Sequence, residues 1–294
     1  MSTSQHAFVA QEYAPRAQDY VTSVVHSTGD DLDQMVAELQ GQETALVLDL
    51  GCGGGHVSYR AAPHVAEVVA CDLTASMLDV VAETAAARGL SNITVQQAAA
   101  ERLPFADGHF DVVLCRFTAH HWQDLDAGLR EARRVLKPAG RAVFVDVVAP
   151  ADRVLDTHLQ AFEVLRDASH VRNYAAAEWL AALSRAGFAV ERVTDRKLRM
   201  EFPVWIARTR ASAEHAGVIR SLQAGAPAVV REHFAVGEDG IQPGHGDDRG
   251  PRRVERAAGA PEGRRLLPSR IPSKAAVPGR VFTLASRHRR EDSA

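Results

Sequence analysis

Short apolar runs alternate with stretches of helical periodicity between residues 45 and 148. The runs, which are typical of buried strands, cover 45–50, 67–73, 92–98, 110–117 and 141–148. Apolar positions at helical spacing cover 75–89 and 125–140, and the second helix is predicted to stop at Pro138 and Gly140. Strands separated by helices require crossover connections, so the pattern predicts an α/β fold with a doubly wound, mostly parallel sheet and helices on both faces.

The pattern becomes mainly helical after residue 148. Helical spacing covers 152–167, 176–187 and 204–223, with a further strand predicted at 188–193. This more irregular part is expected to form a helical lid over the carboxyl edge of the sheet. Residues 229–240 are predicted to form a strand and a turn.

The segment 241–294 differs from everything before it. It holds 6 of the 13 prolines and 12 of the 34 lysines and arginines, and it shows neither helical nor strand periodicity over most of its length. We therefore expect one domain at 1–240, with its core at 41–148 and its lid and C-terminal part at 149–240. The tail is expected to be disordered or the product of a shifted reading frame. Alternatively, 280–286 supplies a last strand after a long loop.

Composition limits the classes of partner and location. The net charge is −3, so no overall basic field favours nucleic acid as a partner. No apolar run approaches the ~20 residues that span a bilayer. The first residues lack the pattern of a signal peptide, and three cysteines are too few for a disulfide framework. These features predict a soluble, cytoplasmic protein; they predict nothing about its oligomeric state.

The first predicted strand ends in a glycine loop, Gly51-Cys52-Gly53-Gly54-Gly55. Two of its glycines fit the dinucleotide fingerprint, but the sixth position is His56, and no lysine follows as in a P-loop. Asp49 precedes the loop by two residues. A carboxylate there would repel a pyrophosphate and favours a cationic ligand such as an ammonium or sulfonium group.

Two further acidic residues follow later predicted strands. Asp72 ends the second strand, where a carboxylate can accept both hydrogens of a ribose diol, although it can also cap the next helix. Leu73 and Met77 follow as apolar contacts for a base. Glu101 comes after the third strand, where it can accept from an adenine amino group or remain a solvated loop residue. Ligands of open α/β sheets bind at such strand ends.

These segments together resemble the class I S-adenosylmethionine-dependent methyltransferases, in particular the small-molecule branch that includes ubiquinone and menaquinone C-methyltransferases. The resemblance runs over 47–148 and rests on VLDLGCGGGH, VVACDLTASML, AERLPFADGHFDVVLCRFTAHHW and LREARRVLKPAGR. A further tract at 166–179 resembles a stretch of some uncharacterised bacterial members. The resemblance implies a Rossmann-like fold, methyltransferase activity and S-adenosylmethionine as cofactor.

The resemblance also implies a set of cofactor-binding residues. Asp49, Gly51 and Gly53 are expected to hold the methionyl part, Asp72 the ribose, and Tyr20 is expected to close over the methionyl end. The complete predicted set is Tyr20, Asp49, Gly51, Gly53, Gly55, Asp72, Leu73, Met77, Ala100, Glu101 and Arg116.

Candidates for catalysis are fewer. A methyl transfer needs a base only where the acceptor loses a proton. His121, which follows the fourth strand, and His170, in the predicted lid, are the candidate bases, with packed or capping histidines as the alternative. The polar lid residues are expected either to be solvated or to bind a polar or anionic substrate group: Arg166, Asp167, His170, Arg172 and Tyr174. No metal is predicted, because no set of acids and histidines has ligand spacing.

The predicted acceptor is a small organic molecule. Carbon, oxygen and nitrogen all stay open as the atom that is methylated. Arg116-Phe117-Thr118-Ala119 stands after the fourth strand in place of an Asn-Pro-Pro-Tyr tetrad, which argues against nucleobase amines. Two alternatives stay open at this point. One is an NAD(P)-dependent oxidoreductase, and the other is a protein that binds S-adenosylmethionine without turnover.

Overall fold

A single seven-stranded sheet forms the centre of the computed structural model, which describes residues 4–18, 29–236 and 277–288. The strands are β1 Leu46–Leu50, β2 Glu67–Asp72, β3 Ile93–Gln97, β4 Phe110–Arg116, β5 Leu136–Val148, β6 Phe188–Met200 and β7 Val277–His288. Their order across the sheet is β3-β2-β1-β4-β5-β7-β6. Neighbours among β1–β5 are parallel, and β7 lies antiparallel between β5 and β6. The predicted doubly wound, mostly parallel sheet is confirmed.

Helices cover both faces of this sheet. They are α1 Gln5–Tyr13, α2 Asp30–Ala37, α3 His56–Ala61, α4 Ala75–Ala87, α5 Leu125–Val135, α6 Arg153–Arg166, α7 Ala176–Arg185, α8 Phe202–Arg208, α9 Ala213–Gly225 and α10 Ala228–His233. Successive strand residues point to opposite faces. Val47 therefore packs in the cluster with α2 and α3, whereas Leu48 packs in the cluster with α5 and α7. The sheet is buried on both sides, which explains the continuous apolar runs of its strands.

The lid helices share a core of their own. α6, α8, α9 and α10 pack around buried side chains that include Phe162, Trp205, Ile219 and Phe234. The rings of Phe162 and Phe234 meet edge to face with centroids 5.6 Å apart. A cluster separate from the sheet core gives the lid a defined shape beside the carboxyl ends of the strands. No helix in the described ranges is long and apolar enough to cross a membrane.

Two predicted helix boundaries and one predicted strand were wrong. The helix predicted at 125–140 ends at Val135, and β5 begins at Leu136, so Pro138 and Gly140 belong to a long strand with a register shift against β4. The helix predicted at 204–223 is two helices, separated near Arg210, whose φ of +52° is incompatible with a continuous helix. Residues 228–233 form α10 rather than a strand.

The tail contributes a strand to the sheet. Val277–His288 forms β7, in register with Arg141–Val148 of β5 on one side and with β6 on the other. The expected disorder therefore does not hold for this stretch, which instead corresponds to the alternative of a late strand. The rest of the predicted tail lies outside the described residues, as does Tyr20.

Candidate functional site

A cavity of about 580 Å³ opens at the carboxyl ends of the parallel strands. Leu50, Asp72, Arg116 and Val147 line it, and each stands at or next to the end of its strand. Helix α1 forms part of the wall on one side, and α6 and α8 of the lid form part of it on the other. The cavity has the size and the position at the sheet edge that are usual for ligands in this class of fold.

The glycine loop combines one tight contact with one open position. A Cβ atom at Gly51 would lie 2.3 Å from Thr118 Oγ1, and its φ of +73° also favours glycine. A Cβ atom at Gly53 would meet nothing within 4 Å, and both residues line the cavity. Gly53 therefore exposes its backbone to a ligand. Gly55 precedes α3 and packs against the Tyr59 ring, away from the wall formed by the described residues.

Asp49 lies behind the loop at 1% exposure. Its Oδ2 accepts hydrogen bonds from the Ser58 backbone N–H at 3.0 Å and from Ser58 Oγ at 2.6 Å. Burial raises the pKa of the carboxyl to about 7, although both bonds from Ser58 favour its ionised form. Asp49 is not among the described residues that line the cavity. Its contacts connect β1 to α3 and hold the loop between them.

Asp72 both organises the loop and faces the cavity. Oδ2 accepts from the Gly53 N–H at 2.9 Å, and Oδ1 accepts from the Thr74 N–H at 2.9 Å. Burial raises the pKa of Asp72, while these hydrogen bonds lower it. Each oxygen retains a lone pair for a ligand. Leu73 and Met77, at the start of α4, line the cavity beside it.

Glu101 joins α1 to the loop before α5. Its Oε1 accepts from the Gln123 N–H at 2.8 Å, and its Oε2 lies 3.2 Å from His6 Nε2. The latter is a contact without the alignment of a hydrogen bond, since His6 Nε2 has no hydrogen-bond partner within residues 4–18, 29–236 and 277–288. Glu101 and Ala100 both line the cavity.

Arg116 is held at the end of β4 by α2. Its Nε donates to the Asp31 carboxylate, and its guanidinium carbon lies 4.6 Å from the centroid of the Phe117 ring. Phe117 has a φ of +53°, a backbone conformation that a residue with a Cβ adopts only under constraint. All three residues line the cavity.

The first predicted base, His121, is enclosed by protein partners. Its Nε2 lies 2.9 Å from the Tyr13 hydroxyl of α1, and its Nδ1 lies 3.3 Å from the Ser169 carbonyl oxygen and 3.3 Å from Ser169 Oγ. The Tyr13 hydroxyl also donates to Asp167 Oδ2 at 2.8 Å. Burial, together with the neighbouring His120 ring, lowers the pKa of His121 to about 4. His121 lines the cavity as a neutral ring.

The second predicted base, His170, is also buried. Its Nε2 is 3.0 Å from Gln160 Oε1, and its Nδ1 has no hydrogen-bond partner in the part of the chain that the structure describes. Burial, together with the nearby imidazoles of His120 and His121, lowers the pKa of His170 to about 2. His170 does not belong to the cavity wall formed by the described residues.

His120 is paired with a carboxylate. Its Nδ1 lies 2.6 Å from Asp146 Oδ1, and Asp146 Oδ2 accepts from the His120 backbone N–H at 3.2 Å. Burial lowers the pKa of His120, but the charge and hydrogen bond of Asp146 outweigh it, so the pKa is raised above its usual value. His120 lines the cavity. The pairing was missed by sequence reasoning, although Asp146 is the one acidic residue in β5.

The predicted polar cluster of the lid divides into separate groups. Arg166 lines the cavity, pairs with Glu163 and lies 4.9 Å over the Trp205 ring. Asp167 bonds to Tyr13, while Arg172 pairs with Asp156 on the outer side. Within the described ranges no cluster of metal-ligating side chains is present.

Known proteins resemble this chain closely. A family model described as a methyltransferase domain matches residues 48–144. The uncharacterized protein YafE of Escherichia coli K12 is 48% identical over 191 residues, which cover 65% of this chain and 92% of YafE. The uncharacterized methyltransferase YcgJ of Bacillus subtilis is 36% identical over 202 residues, covering 69% of this chain and 80% of YcgJ.

The chain belongs to the class I S-adenosylmethionine-dependent methyltransferases. The crystal structure of YcgJ has a TM-score of 0.75 to this methyltransferase at 28% identity, covering 89% of this chain and 99% of YcgJ. The ubiquinone/menaquinone biosynthesis C-methyltransferase UbiE of Shewanella oneidensis is 33% identical over 186 residues, covering 56% of this chain and 74% of UbiE. The predicted family is confirmed, and neither the oxidoreductase nor the binding-only alternative is favoured.

S-adenosylmethionine is the cofactor of this methyltransferase. The chemistry of the cavity fits a ligand with a sulfonium, an ammonium group and a ribose. The walls around β1, β2 and α2 carry four carboxylates and one guanidinium, from Asp30, Asp31, Asp72, Glu101 and Arg116. Such a surface favours a cationic ligand. The open backbone at Gly53 suits its close approach.

Proposed function

We propose that the methyltransferase transfers the methyl group of S-adenosylmethionine to a small organic acceptor, with His120 taking a proton from that acceptor. The observation that carries the proposal is the 2.6 Å contact between His120 Nδ1 and Asp146 Oδ1 beside the cofactor cavity. A carboxylate only accepts hydrogen bonds, so Nδ1 keeps its proton. The lone pair of the neutral ring is then on Nε2, ready to receive one.

Positioning is the main contribution of the chain to the reaction. When bound, S-adenosylmethionine supplies a methyl group on a sulfonium, which is a good leaving group. The protein holds the acceptor in line, keeps water out and moves one proton to His120 Nε2. The Asp146 carboxylate holds the ring in the tautomer that this transfer needs and stabilises the imidazolium that results.

The cofactor contacts form part of the same proposal. Asp72 would accept from the ribose hydroxyls, and the backbone at Gly51 and Gly53 would hold the methionyl part. Leu73, Met77, Ala100 and Glu101 would surround the adenine, and Arg116 would close the wall beside the loop. This assignment is supported by their shared position on the cavity wall. The role expected for Tyr20 stays a prediction.

Four residues of the predicted set receive supporting roles in this proposal. Asp49 and Gly55 shape the glycine loop from behind, as their contacts with Ser58 and the Tyr59 ring support. His121 and His170 stay neutral because burial disfavours their charged forms. Neutral rings next to His120 add no positive charge that would oppose its protonation.

The acceptor class rests on two supports. The cavity of about 580 Å³ has room for a cofactor and a small molecule. The likeness to UbiE proteins, whose name describes C-methylation in quinone biosynthesis, adds support for an organic acceptor of this size.

Calorimetric titration tests the cofactor part first. We expect S-adenosylmethionine to bind to the purified chain in the micromolar range and NADH to bind far more weakly. Asp72→Ala should weaken S-adenosylmethionine binding at least about tenfold, since charge-assisted bonds to the diol are lost. Asp79→Ala, at an exposed position of α4, the helix that follows β2, is the matched control. Preference for NADH would contradict the proposal.

Turnover tests the remaining part. A panel of small phenols, acids and activated methylene compounds is incubated with S-adenosylmethionine, and release of S-adenosylhomocysteine is followed by mass spectrometry. An accepted substrate should be methylated by the wild-type chain and much more slowly by His120→Gln. Equal rates for the two would remove His120 from the reaction and leave the family assignment intact.

A further inference from the structure

The two halves of the cavity wall carry opposite net charge. The half around β1, β2 and α2 is acidic, as described above. The half formed by the lid and β6 is basic: its charged residues are Glu163, Arg166, Arg196, Lys197 and Arg208. The cofactor brings its sulfonium and ammonium to the acidic half. The basic half is therefore left for the molecule that receives the methyl group.

The sheet register places Arg196 at the active edge. Val147 of β5, which lines the cavity, pairs with Val281 of β7, and Val281 pairs with Arg196 of β6. Because β6 and β5 run in the same direction on either side of β7, the end of β6 reaches the carboxyl edge of the sheet. Arg196 and Lys197 stand at this edge, two strands away from the His120–Asp146 pair.

Arg196 has unused hydrogen-bonding capacity. Its Nη2 is buried and has no hydrogen-bond partner among the described residues. A buried donor without a partner is costly, and a charged donor is more costly still. Arg166, in contrast, pairs with Glu163 at 2.8 Å and stacks on Trp205. Arg196 therefore offers a ligand a buried N–H donor in this half of the cavity.

We propose that the methyl acceptor carries an anionic group, a carboxylate or a phosphate, which Arg196 binds with help from Lys197. The inference rests on the proposed function, because it requires the acceptor to share the cavity with S-adenosylmethionine. A guanidinium matches either anion through paired N–H donors. Strand β6 then determines substrate class through charge, and His120 acts on a different part of the same molecule.

Binding of simple probes to the chain saturated with S-adenosylhomocysteine tests this site. Calorimetry compares benzoate and phenyl phosphate with benzamide, which has the same ring and no charge. We expect at least one anion to bind about tenfold or more tightly than benzamide, as a charge-assisted contact implies. Arg196→Gln should abolish this preference and leave S-adenosylmethionine affinity unchanged. Arg196→Lys should retain part of it.

The matched control is Arg192→Gln, on the same strand, where the side chain pairs with Glu38 outside the cavity wall. Arg192→Gln should keep the full preference for the anion. Circular dichroism should show that Arg196→Gln, Arg196→Lys and Arg192→Gln are all folded. The relative affinities of benzoate and phenyl phosphate identify the favoured anion.

Two outcomes overturn the anion site alone: equal binding of all three probes, including absence of binding, or a preference that survives in Arg196→Gln. Weaker S-adenosylmethionine binding in Arg196→Gln, with unchanged probe binding, would assign Arg196 to the cofactor carboxylate and also overturn it. Failure of the wild-type chain to bind S-adenosylmethionine contradicts the proposed function itself, so the two failures are distinguishable.

Discussion

The His120–Asp146 pair sets the pH dependence expected at the residue scale. Burial favours neutral His120, yet Asp146 holds its pKa above 6.5, and Glu163 and Arg166 of α6 act on it with opposite signs. The base is active when neutral, so turnover should rise with pH through this raised pKa.

NMR titration of the imidazole checks the pair without a substrate. Asp146→Asn removes the charge, so the pKa of His120 should fall below its wild-type value. His64→Gln, at an exposed position, removes one histidine signal as an assignment control and should not move the pKa of His120. An unchanged pKa in Asp146→Asn would contradict the role given to the carboxylate.

Asp49 makes a second prediction at this scale. Its pKa is raised from 3.8 to about 7 by burial, so the folded chain binds more protons than the unfolded chain between these pH values. Stability then falls as pH rises through this window. The shift corresponds to roughly 4 kcal/mol across the whole window.

Asp49→Asn retains an oxygen that accepts from Ser58 and has no charge to bury. We expect the variant to gain stability over the wild type at pH 8 and to gain much less at pH 5, in urea unfolding of the cofactor-free chain. Asp79→Asn, at an exposed position, should show no such difference. If the unfolding free energies of Asp49→Asn and the wild type changed in parallel with pH, ionisation of the buried carboxyl would not destabilise the fold.

The Tyr13 hydroxyl makes two of the contacts that dock helix α1. Tyr13 donates to Asp167 and contacts His121, and these bonds join residues 154 and 108 positions apart. Tyr13→Phe leaves both partners short of a bond, which should cost about 1–3 kcal/mol of docking. Hydrogen exchange of residues 5–16 should accelerate, and cofactor affinity should fall because α1 forms part of the wall.

The same substitution at Tyr174 is the control for α1. Tyr174 contacts the Trp179 ring, and the described residues offer its hydroxyl no hydrogen bond. Tyr174→Phe should leave exchange in α1 as it is in the wild type. Equal exchange rates in α1 for Tyr13→Phe and the wild type would show that other contacts dock the helix.

At the scale of the whole molecule, β7 connects β6 to the rest of the sheet. It lies between β5 and β6, so a chain that ends at Ala276 lacks an internal strand. We expect this truncated chain to lose cooperative thermal unfolding, whereas removal of 289–294 should leave it unchanged. Cooperative unfolding of both would show that the core at 41–148 is stable without the closing strands.

The reading-frame hypothesis for the tail also belongs to this scale and stays a prediction. β7 places the Thr283 hydroxyl in a buried position where no described residue bonds to it, an imperfect fit for an internal strand. If the frame shifts near Ile241, another frame of the coding DNA should encode an alternating apolar strand soon after Gly240. Absence of such a strand from both other frames would identify Val277–His288 as the native one.

Local sequence patterns were sufficient to predict the core of the fold and the family of the protein. The five parallel strands and the glycine loop depend on neighbours in the sequence, through apolar periodicity and the conformations that glycine allows. Asp72 and Glu101 were recognisable because each follows a strand, and strand ends of a parallel sheet meet at one edge. Boundaries near Val135 and Arg210 were missed because pairing with β4 and packing of the lid override local helical preference.

Pairs between distant residues required the tertiary structure. His120 meets Asp146, and Tyr13 meets His121 and Asp167, because the sheet register and the docking of α1 bring them together. Arg196 faces the cavity through a strand order in which β7, the last strand in the chain, lies inside the sheet. No periodicity encodes such contacts, since each depends on the relative position of elements separated by long stretches of chain. The amino-acid pattern therefore identified the cofactor, and the folded arrangement selected the base and the anion site proposed for the acceptor.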